Sequence, residues 1–103
     1  MNPLANKQYR RGAEIERKVV KVLSDAGYEA SRSAQSRGLW DVVGVHANGV
    51  RLIQVKRAKK DAYWQSEFKR ACEAMREMDC PPNVSCEVWV WVDYTGFVTM
   101  EVA

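Results

Sequence analysis

Three side chains stand out for the chemistry they could do together: Asp41, Gln54 and Lys56. A carboxylate and an amide oxygen are hard donors of the kind that hold a divalent cation, and an ammonium beside them can orient water or balance an anion. Asp41 opens the apolar run Val42-Val43, and the other two belong to Val50-Arg51-Leu52-Ile53-Gln54-Val55-Lys56. In a strand, side chains alternate between faces, so Val50, Leu52, Gln54 and Lys56 share one side and Arg51, Ile53 and Val55 the other. A Gln and a Lys near the centre of a small domain are costly to bury without polar partners, and Asp41 is the nearest candidate. The Asn48-Gly49 pair between the runs predicts a two-residue hairpin turn, which lays the strands side by side and brings the three groups to one sheet edge. The plainer alternative makes Gln54 and Lys56 the solvated tip of an edge strand.

The positioning elements are legible as periodicity. From about Ala13 onward, Ile15, Val19, Val22, Leu23 and Ala26 recur at helical spacing, and Gly27 supplies the stop. Glu16 lies one position from that stripe, at the border of core and solvent, while Arg17, Lys18 and Lys21 cover the outer face as solvated surface or as phosphate contacts. Residues 1–9 show little periodicity and, with Lys7 followed by Arg10 and Arg11, predict a flexible basic arm. Tyr28 to Arg32 reads as a short edge strand. Ser33-Ala34-Gln35-Ser36-Arg37-Gly38 is a polar loop, either a phosphate grip or a plain connector.

Beyond Lys56 the basic cluster Arg57-Ala58-Lys59-Lys60 precedes a second helix, with Asp61 as N-cap. Its stripe of Trp64, Phe68, Ala71, Cys72, Met75 and Met78 is core, and it ends before Pro81-Pro82. Two strands follow, Cys86 to Val92 and Phe97 to Val102, around a turn at Thr95-Gly96. Trp89 and Trp91 share one strand face and require cover from a helix or a second subunit. The order of helix, three strands, helix and two strands predicts an α/β fold with a mixed five-stranded sheet flanked by helices.

A chain of 103 residues is one domain, 1–103, able to bury about two thirds of its unfolded surface. It carries no basic leader followed by an apolar stretch and no run near the ~20 apolar residues of a membrane span, so the expected location is the cytoplasm, a host's if the source is viral. Cys72, Cys80 and Cys86 form no CxxC pair and His46 is the single histidine, so a structural zinc site lacks ligands and buried free thiols are expected. Charge is segregated. Residues 1–60 hold 13 Lys or Arg against 5 Asp or Glu and residues 61–103 hold 3 against 8, a balance of +8 and −5. The basic half suits a polyanion, most simply nucleic-acid phosphates.

Arg10-Arg11-Gly12 with Glu16-Arg17, Gly27-Tyr28, Arg32-Ser33-Ala34 with Ser36, Asp41-Val42-Val43 and Val55-Lys56 resemble, in order and spacing, the archaeal-type Holliday junction resolvases of the PD-(D/E)XK nuclease superfamily. The motifs cover about residues 10–60. The resemblance implies a restriction-endonuclease-like fold and a homodimeric endonuclease that needs Mg²⁺, with Mn²⁺ substituting, and makes paired cuts in four-way DNA junctions. It further implies Asp41 as the central metal carboxylate, Gln54 and the Val55 backbone carbonyl as further ligands, Glu16 reaching the metal directly or through water, Lys56 beside the attacking water, and Ser36 as the loop serine at the site. Lys7, Arg10, Arg11, Arg17, Arg32, Arg37, Arg57, Lys59 and Lys60 would meet DNA. One position departs: the family pattern has Glu where this chain has Gln54. An amide oxygen can still ligate Mg²⁺ but removes a negative charge, and some restriction-type relatives resemble D…QxK. A nuclease for other DNA, or a silent DNA-binding subunit of the same fold, are the alternatives.

Overall fold

The computed structural model describes residues 3–33, 39–58 and 64–102, the side chains of residues 3–10 excepted. Helix α1 spans Pro3–Asp25, strand β1 Glu29–Arg32, β2 Val42–His46, β3 Gly49–Ala58, helix α2 Trp64–Glu77, β4 Val84–Val92 and β5 Gly96–Glu101. The strands lie in the order β1-β2-β3-β4-β5. β3 and β4 run parallel and the other neighbours antiparallel, because α2 carries the chain back between β3 and β4 whereas hairpins join β2 to β3 and β4 to β5. Adjacent residues of β3 enter different cores. Ile53 packs with Val19 and Leu23 of α1, and Leu52 with Phe68, Ala71 and Met75 of α2. The helices therefore cover opposite faces, the α/β sandwich that the element order implies.

Ala13, Ile15, Val19 and Leu23 form the buried stripe of α1, while Val22 stays exposed. The helix starts at Pro3, about ten residues before the expected start, so residues 3–9 have helical backbone. Pro at the first helical position costs no hydrogen bond, and Ala5, Lys7, Gln8, Arg10 and Arg11 all favour helix, which propagates the end backwards without an apolar stripe. At the other end Tyr28 N–H donates to Leu23 O at 3.0 Å and Gly27 N–H to Ser24 O at 3.0 Å, with Gly27 at φ +94°. That is a Schellman cap, in which glycine takes the left-handed position.

The β2–β3 turn falls one residue earlier than Asn48-Gly49. His46 pairs with Gly49, leaving Ala47-Asn48 as the loop, and Val42 pairs with Ile53. Gly49 is required for another reason: a Cβ there would lie 2.8 Å from Asn83 O, where the chain enters β4. Moving the loop by one residue moves every partner by two, so the faces are kept.

One further expectation is corrected, and of the two covers expected for Trp89 the helix is found. Cys80 and Cys86 are joined in a disulfide and Cys72 alone is a free, buried thiol. Pro81-Pro82 turns the chain between them, closed by Val84 N–H donating to Pro81 O at 3.0 Å, and the two Cα atoms come within 6.5 Å. Trp89 needs no second subunit. It is 6% exposed, packed edge-on to Phe97, and donates its indole N–H to Glu87 Oε1 at 3.0 Å. Trp91 is half-buried, with Lys18 Nζ 4.5 Å from its ring centroid.

Glu87 is the buried charge that this face must satisfy, at 5% exposure. Arg51 meets it with two hydrogen bonds of 2.7 Å, and Ser85 Oγ and the Trp89 indole each donate at 3.0 Å. Burial alone pushes the Glu87 carboxyl up, but these donors and the Arg51 charge outweigh it and hold it below its ordinary range. A depressed carboxylate contributes stability that is present above its unfolded pKa and lost as pH falls through the folded one. Glu87→Gln should therefore cost about 3 kcal/mol at neutral pH, as for a buried pair broken on one side. Urea unfolding at neutral pH and near pH 3 tests this: the gap between parent and variant should shrink on acidification, and a gap independent of pH would exclude the pair as its source.

Candidate functional site

Asp41 sits where the chain crosses from one core to the other. Leu39 and Trp40 pack against the α2 core, and Val42, fully buried, belongs to the α1 core. Asp41 N–H donates to Ile53 O at 2.9 Å although Val42 is already the ladder partner of Ile53. Two residues of one strand thus face one of the other, the arrangement of a β-bulge, which bends the strand and re-aims a side chain. The backbone on the other side is kept in register by Ser33 N–H donating to Asp41 O at 2.8 Å.

The bulge ends β2 while β3 continues to Ala58, so Val55 N–H has lost its strand partner. The Asp41 carboxylate takes its place, with Val55 N–H donating to Oδ2 at 2.9 Å. In a ladder a residue's N–H and C=O leave on the same side, so the Val55 carbonyl opens to the same gap. Burial pushes the Asp41 carboxyl above the ordinary aspartate range, against the Val55 N–H and the charges of Lys56 and Arg32, which pull it down.

One residue before Val55, Gln54 Oε1 is buried and has no hydrogen-bond donor among the described residues. Buried acceptors are rarely left so, and one that is calls for an explanation such as an absent ion. A partly buried carboxylate with an orphaned amide oxygen is a hard oxygen set that suits Mg²⁺ or Mn²⁺ and not zinc. Among the described residues no three His, Cys, Asp or Glu side chains cluster as metal ligands.

Glu16 is half-buried on α1 and accepts from Arg32 Nε at 3.0 Å. Arg32 thus joins the Glu16 and Asp41 carboxylates electrostatically. Arg11 and Arg17 are exposed on α1, and Arg57 is half-buried, donating to Asp93 Oδ2 at 2.9 Å. Lys7 and Arg10 lie on α1, their side chains outside the described set; Ser36, Arg37, Lys59, Lys60 and the N-cap Asp61 lie outside the described residues. Two partners escaped the sequence reading: the Val55 N–H that holds Asp41, and Asp93, which holds Arg57. A polar cleft of about 430 Å³, lined in part by Tyr28, Arg51, Asn83 and Glu87, lies at the other end of the β3–β4 pair. Arg51 and Glu87 there are paired with each other, so the site at Asp41 is the better candidate.

The sequence profile of the archaeal Holliday junction resolvases (Hjc) matches residues 7–69, which include Glu16, Arg32, Asp41, Gln54 and Lys56. The chain belongs to that family. Among solved structures it is similar to Archaeoglobus fulgidus Hjc, a Holliday junction resolvase from an archaeal hyperthermophile, at 18% identity and a TM-score of 0.61 over 89% of this chain and 73% of that one. At that identity the likeness establishes the fold, which is restriction-endonuclease-like. No curated protein matches. No helix among the described residues is long and apolar enough to cross a membrane.

A site that keeps a raised carboxyl and an orphaned amide is destabilised when it holds no cation. Gln54→Leu, close in size, should raise the thermal unfolding midpoint in EDTA, because an unmade buried hydrogen bond costs about 1–3 kcal/mol. The parent, and not Gln54→Leu, should gain stability on adding Mn²⁺. Scanning calorimetry in which Gln54→Leu melts below the parent in EDTA would remove the argument from the orphaned oxygen.

Proposed function

We propose that this chain is a divalent-metal-dependent endonuclease that resolves four-way DNA junctions by paired phosphodiester hydrolysis, working as a homodimer. The observation that carries the proposal is the orphaned Gln54 Oε1, one residue before the Val55 N–H that holds the Asp41 carboxylate, within a chain of the resolvase family. Asp41, Gln54 and the Val55 carbonyl would hold Mg²⁺, with Mn²⁺ as substitute, and Glu16 would contribute through water. Once bound, such an ion supplies stabilisation of the charge that builds on the phosphate and makes its water a better nucleophile.

The protein's own residues do the rest. Lys56, whose charge is felt at Asp41, presents an ammonium to the phosphate and orients water. Arg32 keeps Glu16 in place from across the α1–β1 contact. Ser36 donates a hydroxyl from the loop before Asp41. Arg11 and Arg17, with Lys7, Arg10, Arg37, Arg57, Lys59 and Lys60, bind the DNA backbone, so affinity falls steeply with salt. Two cuts on opposed strands need two sites related by a two-fold axis, hence the homodimer.

The neutral Gln54 favours one rival, a silent DNA-binding subunit. Synthetic four-way junctions and equal-length duplexes, titrated with Mg²⁺ and Mn²⁺, separate the readings. The parent should cleave junctions selectively and need high metal. Asp41→Asn should bind junctions with near-parental affinity and not cleave, and Gln54→Glu should saturate at lower metal because it restores a charge. Parental cleavage by Gln54→Ala would remove Gln54 from the ligand set. An inert parent with an active Gln54→Glu would leave the silent subunit as the function.

A further inference from the structure

Tyr94 is 93% exposed at the tip of the β4–β5 hairpin, and it is the one non-glycine residue among those described with positive φ, +66°. A side chain at that φ is strained, and an isolated exposed ring has no packing to offset the strain. The tip is nonetheless held firmly: Thr95 N–H donates to Val92 O at 2.9 Å, Asp93 N–H to Ala58 O at 3.1 Å, and the Asp93 carboxylate accepts from Arg57 at 2.9 Å. These bonds fasten the hairpin to the end of β3, the strand that carries Gln54 and Lys56. Lys56 pairs with Val90, so Tyr94 lies at most ~13 Å further along the strand axis. Arg57 of β3, paired with Asp93, lies at the base of the turn, and Lys18 of α1 sits over the ring of Trp91, three residues before Tyr94.

From this placement we infer that Tyr94 is a stacking platform for an exposed nucleobase face of the DNA, of the kind a branch point offers where base pairs end. An exposed aromatic ring carried on a held turn is the arrangement on which splayed bases stack, whatever their sequence. A duplex interior hides its base faces, so the contact would favour branched over linear DNA. The inference deepens the proposed junction activity and rests on it for the choice of DNA.

The test is binding in EDTA to a four-way junction and to an equal-length duplex, each with 2-aminopurine at its central positions, by parent, Tyr94→Phe, Tyr94→Ala and Tyr94→Gly. Glycine relieves the backbone strain without restoring a ring, so it separates stacking from loop geometry. Parent and Tyr94→Phe should bind the junction alike and quench the probe. Tyr94→Ala and Tyr94→Gly should bind it about tenfold or more weakly and leave the probe bright, as loss of one stacked base requires. Parental affinity and quenching in Tyr94→Ala overturn the inference and leave the nuclease reading standing. Equal binding of junction and duplex by the parent, with the ring still needed for quenching, instead removes junction preference and keeps the platform. A parent that binds neither DNA overturns both. Sedimentation velocity in which Tyr94→Ala converts a dimer to monomer with DNA quenching unchanged assigns the ring to a protein contact and overturns the inference.

Discussion

The demand of one backbone group, Val55 N–H, organises the candidate site. β3 must be long because its centre is enclosed on both faces and it supports β4 along its whole length. β2 is half as long, so β3 outlasts it and leaves a partly buried donor that water serves poorly. Such donors are almost always paired. The carboxylate of Asp41 meets the demand, and it can do so because the bulge at Asp41-Val42 turns it out of the ladder and into the gap. The acid is therefore positioned by main chain, on elements anchored in two cores, and does not depend on any flexible loop for its place.

That positioning works against stability. The pKa of Asp41 is raised chiefly by desolvation, and Gln54 Oε1 makes no compensating bond. Among the other described residues every buried side-chain nitrogen or oxygen has a partner. At the far end of the same sheet Glu87 is more enclosed still and receives four hydrogen bonds. Two buried polar centres on one sheet thus differ in kind. The one with all its partners rigidifies β3 against β4, and the one with an open valence is left for something from outside.

Much of this was legible in the chain. The stripes Ile15-Val19-Leu23 and Phe68-Ala71-Cys72-Met75 mark both helices because each buries a single face. The alternation in residues 50–56 places Gln54 with Leu52 on one side and Ile53 on the other, and a shift of the turn by one residue left those faces unchanged. What was not legible depends on contacts between distant segments. Gly49 reads as a turn centre but is dictated by Asn83, more than thirty residues away in sequence. Likewise the Cys80–Cys86 bond depends on how Pro81-Pro82 redirects the chain into β4, and the cover over Trp89 comes partly from Glu87, a charge that sequence patterning assigns to solvent. The bulge has no local signature at all, since Trp40-Asp41-Val42 would serve equally in a straight strand.

The amide at position 54 also changes the charge balance of the site. Asp41 and Glu16 carry two negative charges, Arg32 and Lys56 two positive ones, and Gln54 none, so these five side chains are neutral together. Charges within a few ångströms in a partly dry site interact far more strongly than in water, so this balance governs what the site attracts. A carboxylate at 54 would make the set an anion that binds a divalent cation tightly and is left with a net charge of +1 once it is bound. With the amide, the same cation binds less tightly but leaves the site at +2, a stronger lure for a phosphodiester. If Gln54 is a ligand as proposed, it would move affinity from the metal to the DNA backbone. In such a site metal and substrate are held best together, because each supplies the counter-charge that the other lacks.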